Sequence, residues 1–309
     1  MTRRTQSAEM TDRRRPAAQV SGDGLTTRRS ANEPEFATFW HGPLNAMTFS
    51  CLASFGRVGA NLLVYSYDSR IVAPNGVELA DARQVCPDQS LLWRYVAAGK
   101  PSLAKFADMF RYKLIQQTGC CWVDTDIVCL RKPDIAGHSI VFGRQPEAHG
   151  KALINNAVLR LPPEHPLLSE LVRRAENAVD ADQPWGAIGP FLLTELAEKY
   201  GVDHNARDFS YFNPIAPDHF WKPLLPAYRE NVAIATRQAT FLHLWGELID
   251  RAGYDKSASP PPGSFLYDVF RRLGTLDRFE RVYDERELKS QLANWTANDA
   301  EPDRSAASR

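Results

Sequence analysis

Apolar and polar positions fall into short runs that switch between two periods. Phe36-Ala-Thr-Phe-Trp40 is an aromatic run that stops at His41-Gly42-Pro43 and predicts a strand. Leu44 to Phe55 predicts a helix, and Asn61 to Tyr67 predicts a second strand that ends at Asp68. The clearest unit follows. Ser102 is placed to cap a helix, and Leu103, Phe106, Phe110, Leu114 and Ile115 recur at helical spacing. Gly119 stands where a left-handed residue is needed to close that helix. Cys120-Cys-Trp-Val123 then predicts a buried strand, with Asp124-Thr125-Asp126 at its carboxyl end.

Further strands are predicted over Ser139 to Gly143, Ala152 to Leu161 and Thr240 to Trp245, and helices over Pro166 to Val179 and Ser264 to Leu273. Pro190, Pro214, Pro217, Pro223 and Pro226 make the stretch after Trp185 rich in loops, and Pro260-Pro-Pro-Gly263 breaks the chain before the last helix. Strands alternating with helices point to an α/β fold: a Rossmann-type, mainly parallel sheet flanked by helices. In such sheets ligands bind at the carboxyl ends of the strands, where Asp124 to Asp126 fall.

Composition bounds this picture. The 309 residues suffice for one large domain with a substantial core. Residues 1–34 are polar and Arg-rich and predict a disordered tail; 35–285 form a single domain; 286–309 form a C-terminal helix and tail. The Arg13-Arg14-Arg15 run reads as a solvated tail, with contact to acidic lipid (peripheral membrane association) or to nucleic acid as its functional alternative. Formal net charge is zero, so no global field favours nucleic acid. Phe36 to Gly56 lacks charged residues, yet His41, Gly42, Pro43, Asn45, Thr48 and Ser50 make it too polar to insert in a bilayer. No signal peptide is evident. The cysteines are Cys51, Cys86, Cys120, Cys121 and Cys129, an odd number without zinc-site spacing, which suits buried thiols in a reducing cytoplasm.

The chemistry concentrates at Asp124-Thr125-Asp126. Carboxylates at i and i+2 on extended chain share one side and form a hard-oxygen site for Mg²⁺ or Mn²⁺. Such a metal neutralises charge on a departing diphosphate. On the preceding helix, Asp108, Arg111 and Tyr112 share a face. A surface ion pair is the plain reading of them. Their neighbours Phe106, Met109 and Phe110 place them instead at a core edge, where an Arg fork suits phosphate or sugar hydroxyls.

Phe106-Ala-Asp-Met-Phe-Arg-Tyr112, Gly119 and Trp122-Val-Asp-Thr-Asp126 together resemble the core of the DXD-containing glycosyltransferase sugar-binding region family, close to glycosyltransferase family 32. Phe39 to Pro43, Asn155-Asn156, Pro162 to Pro166, Gly189-Pro190 and His243-Leu-Trp245 are similar to its remaining motifs, so the resemblance spans about residues 36 to 275. The chain departs from it in having Gly119-Cys120 where Gly-Gly is usual. The resemblance implies a GT-A fold, a nucleotide-sugar donor, a glycan or lipid-linked acceptor, a divalent metal and retention of configuration. It implies donor-sugar contacts for Asp108 and Arg111, with Asp126 on the metal and Asp124 on ribose or sugar as well as metal. Asp124, Asp126 and Arg111 then form the catalytic set.

Other candidates have competing plain readings. Trp40 and His41 would flank a nucleobase, or be a core aromatic and a turn histidine. Asp68, Asn155 and Asn156 would position donor hydroxyls, or cap turns. His243 lies between Leu242 and Leu244 as a core histidine would, and the resemblance makes it a third metal or phosphate ligand. Trp185 and Trp221 would stack on sugar rings, with packing the plainer role. Two other functions use the same carboxylates: a metal-dependent phosphohydrolase or nucleotidyltransferase, and a non-catalytic carbohydrate-binding protein.

Overall fold

The computed structural model describes residues 35–146 and 153–297. The expected tails at 1–34 and from 298 onward lie outside the described residues, as does Ala152 at the start of the fifth expected strand. In chain order the elements are β1 Phe36–Phe39, α1 Ala46–Arg57, β2 Leu62–Ser66, β3 Val77–Asp81, β4 Val96–Ala97, β5 Lys100–Pro101 and α2 Leu103–Thr118. There follow β6 Cys121–Val123, β7 Ile127–Cys129, β8 Val141–Arg144, β9 Ile154–Arg160, α3 Pro166–Glu176 and α4 Pro190–Lys199. Then come α5 Phe209–Phe212, α6 Arg229–Ala235, β10 Phe241–His243, α7 Gly246–Arg251 and, after Ala258–Ser259, α8 Phe265–Leu273.

Six strands form the central sheet in the order β3-β2-β1-β6-β9-β8. The β1/β2, β2/β3 and β1/β6 pairs are parallel, whereas β6/β9 and β8/β9 are antiparallel. The mainly parallel α/β architecture expected from the pattern is therefore present. Adjacent residues send side chains to opposite faces, as the pleat demands. Ala37, Trp122 and Leu159 pack with α2, α3 and α4, while Phe36, Cys121 and Val158 pack with α1. Cys120 and Cys121 belong to these opposite clusters, and all five cysteines are buried thiols.

Local chemistry sets the ends of the helix that matters most. The Ser102 side chain accepts a hydrogen bond from Lys105 N–H at the start of α2, and Gly119 closes it at φ 62°. A side chain at that angle would strain the turn. Elsewhere the ends shift. α1 begins at Ala46, not Leu44, because Asn45 caps it: its side chain accepts from Thr48 N–H. The last expected strand stops at His243, since Trp245 takes a left-handed conformation at φ 57°. The uncharged segment from Phe36 to Gly56 is β1, a loop and α1. Among the described residues no helix is long and apolar enough to cross a membrane. A third cluster gathers α6, α8 and the chain after residue 285, where Leu288 and Leu292 are fully buried.

Candidate functional site

Because β1, β2 and β6 run parallel, His41, Asp68 and Asp124 all follow strand ends at one edge of the sheet. β9 runs the other way, so Asn155 and Asn156, near its start, reach the same edge. Asp124 N–H donates to Ala157 carbonyl at 2.8 Å, which locks the two strands together there.

The Asp124-Thr125-Asp126 segment is not extended. Ile127 N–H donates to the Asp124 carbonyl at 3.2 Å, closing a tight turn between β6 and β7. The carboxylates converge through that turn rather than through strand alternation. β7 then pairs antiparallel with β10, with Ile127 opposite His243. This pairing brings His243 to the acidic turn: its Nε2 lies 3.3 Å from Asp126 Oδ2. Asp124, Asp126 and His243 each offer a ligand atom, and these atoms lie within 4.8 Å of one another. Among the described residues no other group of three His, Cys, Asp or Glu side chains is so placed.

Two carboxylates and an imidazole suit a divalent ion of the Mn²⁺ kind, and the surrounding contacts orient each of them. His243 stacks on Trp245 at 4.0 Å, and its Nδ1 lies 3.3 Å from Asn213 Oδ1. If Nδ1 carries the proton, Nε2 is left to face Asp126 and an ion. Asn213→Ala removes that orienting acceptor. The expected outcome is a loss of Mn²⁺ affinity of roughly 10–100-fold, with some loss of stability because the same side chain donates to the Arg144 carbonyl at 3.0 Å. Titration calorimetry reads it, and unchanged affinity would show that Asn213 does not position the imidazole.

Asp126 also accepts from Gly246 N–H at 2.6 Å. A Cβ at Gly246 would lie 3.0 Å from Asp126 Oδ2 and 3.4 Å from Lys256 Nζ, so the bare backbone lets both groups in. Burial acts to raise the Asp126 carboxyl, but His243, the Gly246 N–H and Lys256 outweigh it and hold the group below the usual carboxylate range. Asp124 moves the other way: burial raises it, Arg111 opposes this, and the neighbouring Asp126 charge adds to the rise. Two carboxylates this close share their ionisation, and a bound cation relieves the repulsion between them.

On the other flank, Asp108, Arg111 and Tyr112 are buried rather than a surface pair. Arg111 Nη2 donates to Asp124 Oδ1 at 2.7 Å, Nη1 donates to the Asn156 carbonyl at 2.7 Å, and the guanidinium lies 4.9 Å from the Trp122 ring centre. Trp122 Nε1 donates to the same Asp124 oxygen at 2.6 Å. Asp108 accepts from Asn156 Nδ2 at 2.8 Å, and its closest approach to Arg111 is 3.4 Å. Burial pushes the Asp108 carboxyl up to about 6, with Arg111 opposing and Asp124 adding to the rise. Tyr112 hydroxyl donates to the Ile188 carbonyl at 2.8 Å, which fastens the loop before α4 to this cluster.

That fastening explains Gly189. A Cβ there would stand 2.8 Å from Asp108 Oδ2, so only glycine permits the loop to lie on the carboxylate. Gly189→Ala is expected to cost about 1–3 kcal/mol through forced displacement of Asp108. Urea unfolding tests this, and unaltered stability would mean that the loop yields freely.

The remaining candidates spread along the same edge. Trp40 Nε1 donates to the Gly42 and Pro43 carbonyls, turning the indole onto its own loop. His41 meets Trp93 edge to face at 5.6 Å, and His41 Nδ1 is buried without a hydrogen-bond partner among the described residues. Asp68 is bound at both oxygens by Arg70, which holds its carboxyl at about 2. Asn155 accepts from Ala157 N–H and donates to Gln145 Oε1. Trp221 is fully buried and serves packing, whereas Trp185 is half exposed beside Phe191. Asn213, Gly246, Lys256 and Trp122 escape sequence reasoning as site residues. The only signal for Gly246 is its place three residues after His243.

No protein-family model matches this chain, and no curated protein matches it. Among solved structures it is similar to PaToxG glycosyltransferase, with 13% identity over 81% of this chain and 87% of that one, TM-score 0.35. It is similar to the glycosyltransferase GlyE of Streptococcus pneumoniae TIGR4, with 11% identity over 88% of this chain and 66% of that one, TM-score 0.39. It is also similar to an active-site mutant of LgtC, with 10% identity over 82% of this chain and 99% of that one, TM-score 0.38. Two of the three bear the name glycosyltransferase.

Proposed function

We propose that this chain is a glycosyltransferase of the GT-A type that takes a sugar from a nucleoside-diphosphate donor in a metal-dependent reaction. The observation that carries this reading is the convergence of Asp124, Asp126 and His243 at the carboxyl edge of the sheet. These three would hold Mn²⁺ or Mg²⁺, which when bound neutralises charge on the diphosphate leaving group.

The chain's own residues supply the rest. Arg111 spends both of its Nη atoms on Asp124 and the Asn156 carbonyl, so its part is to hold the Asp124 carboxylate toward the ion. Lys256 Nζ lies by Gly246 and Asp126 and is bonded to Asp250 Oδ2 at 2.7 Å; from there it would add positive charge beside the ion. Asp108 and Asn156, joined by a hydrogen bond beneath Gly189, offer acceptors and donors to sugar hydroxyls. His41, Trp40 and Asp68, at the ends of β1 and β2, would take the nucleoside. Retention of configuration rests on the family resemblance. The acceptor would be a glycan or a lipid-linked glycan.

Incubating a panel of nucleotide sugars with Mn²⁺ tests the reading, because donor hydrolysis proceeds without a known acceptor. Release of nucleoside diphosphate and free sugar supports glycosyl transfer. Release of nucleoside monophosphate and sugar phosphate would instead make the protein a phosphohydrolase.

A further inference from the structure

Two stretches of loop lie on the Asp108 side of the site, and one buried ammonium ties both of them to α2. Lys105 is 2% exposed, and its Nζ donates to the Val96 carbonyl and to the Gln183 carbonyl, each at 2.6 Å. Val96 starts β4, three residues after Trp93 and its contact with His41. Gln183 opens the segment that ends at Gly189. The two stretches also join each other directly. Val96 pairs with Asp182 in a parallel bridge, Gly99 N–H donates to Asp182 Oδ2 at 2.9 Å, and Asp180 N–H donates to the Arg94 carbonyl at 2.9 Å. Lys105 fastens the joined pair to the helix.

A desolvated ammonium opposes folding unless its donors are used, and an apolar side chain of similar length fills the same space without that cost. The place of its bonds gives the charge a use. Lys105, Asp108 and Tyr112 stand at i, i+3 and i+7, on one face of α2. Lys105 holds the segment at Gln183, and the Tyr112 hydroxyl holds it at the Ile188 carbonyl at 2.8 Å. These anchors are about 10 Å apart along the helix axis. Five residues of extended chain reach about 17 Å, so the segment between them carries slack. Two turns take it up: Ala187 N–H donates to the Pro184 carbonyl at 3.3 Å, and Gly189 N–H to the Gly186 carbonyl at 3.0 Å. Gly189 then lies so close to the site that a Cβ on it would stand 2.8 Å from Asp108 Oδ2 and 3.4 Å from Asn156 Nδ2. Release at Gln183 frees the turns that set this approach.

We infer that Lys105 is a positioning residue for the donor: through Gln183 and Gly189 it fixes where the Asp108 carboxylate and the Asn156 amide meet the sugar hydroxyls. The role rests on the glycosyltransferase reading; the clamp itself does not.

The test compares the full chain with Lys105→Met, which keeps the stem and removes the ammonium. Amide exchange reads the clamp. The Ala187 and Gly189 amides are expected to exchange at least tenfold faster in the variant, while the Asp124 amide, bonded to Ala157, keeps its parental rate. Hydrolysis of nucleotide sugars with Mn²⁺ reads the role. KM for the sugar nucleotide is expected to rise at least tenfold with kcat within about threefold and Mn²⁺ affinity unchanged, because the loss is of donor binding alone. A merely structural role would thin the folded population, lowering kcat and leaving KM as it was. Should the methionine variant fail to fold, Lys105→Arg carries the test: its planar head cannot reach both carbonyls in the same geometry, so KM should rise severalfold at constant kcat. Unchanged exchange at Ala187 and Gly189, or unchanged KM in a folded variant, overturns the inference. Faster exchange in a protein whose parent hydrolyses no nucleotide sugar leaves the clamp standing and removes the glycosyltransferase reading instead.

Discussion

Asp126→Asn is expected to abolish Mn²⁺-dependent donor hydrolysis. The asparagine can still accept from Gly246 N–H and fill the same volume, so the fold should persist. What disappears is the negative charge with which Asp126, on the proposed reading, would hold the ion beside His243. A metal contributes several kcal/mol to stabilising a phosphoryl leaving group, so the rate should fall by roughly 10³-fold or more. A second measurement separates lost binding from lost chemistry. An ion that binds only the folded state stabilises it by about 2.7 kcal/mol at a hundred times its Kd, a rise of several degrees in Tm for a domain of this size. The parent protein should show that rise with Mn²⁺, and Asp126→Asn should not. Full turnover by the variant would remove Asp126 from the ion site.

Asp108→Asn is expected to make the protein more stable and less active. The Asp108 carboxyl stands at about 6 in the folded protein against an ordinary 3.8, because burial disfavours its charge. A group that holds its proton more tightly when folded opposes folding once it ionises. Stability is therefore lost as pH rises from about 4 through about 6, by at most about 3 kcal/mol in the metal-free protein. The uncharged asparagine escapes this cost, and its oxygen can still accept from Asn156. Urea unfolding without metal should show the variant ahead by about 1–3 kcal/mol at pH 7.5 and level with the parent near pH 4. Equal increments at both pH values would mean that the ionisation of Asp108 is not the source. Loss of activity alongside gained stability is the trade expected where a charge is kept buried for function.

The two halves of the site differ in how far local pattern discloses them. Asp108, Arg111 and Asp124 come from one helix, one glycine cap and one strand. Helical spacing puts the first two on one face, and Gly119 fixes how the chain enters β6. The expectation of an extended Asp-x-Asp pair was mistaken in form, since the segment is a turn closed by Ile127 N–H. Spacing in sequence cannot distinguish a strand end from a turn when the strand stops at Val123. Nor could it show that the Arg111 fork turns inward to Asp124 and the Asn156 carbonyl, because those partners come from other strands.

By itself the sequence determined the alternating α/β pattern, the capped helix α2, the strand that ends at the acidic turn, and the chemistry of two neighbouring carboxylates. All of these follow from interactions within about twenty residues, where backbone period and capping decide the outcome. The tertiary structure alone decided which distant groups complete the site. Gly246 reaches Asp126 from 120 positions away, and His243 arrives through the pairing of β10 with β7. Gly189 settles on Asp108 because Tyr112 ties its loop down. These contacts depend on strand register and close backbone approach. Neither leaves a periodic trace along the chain, and both are fixed only when the sheet and its helices pack together.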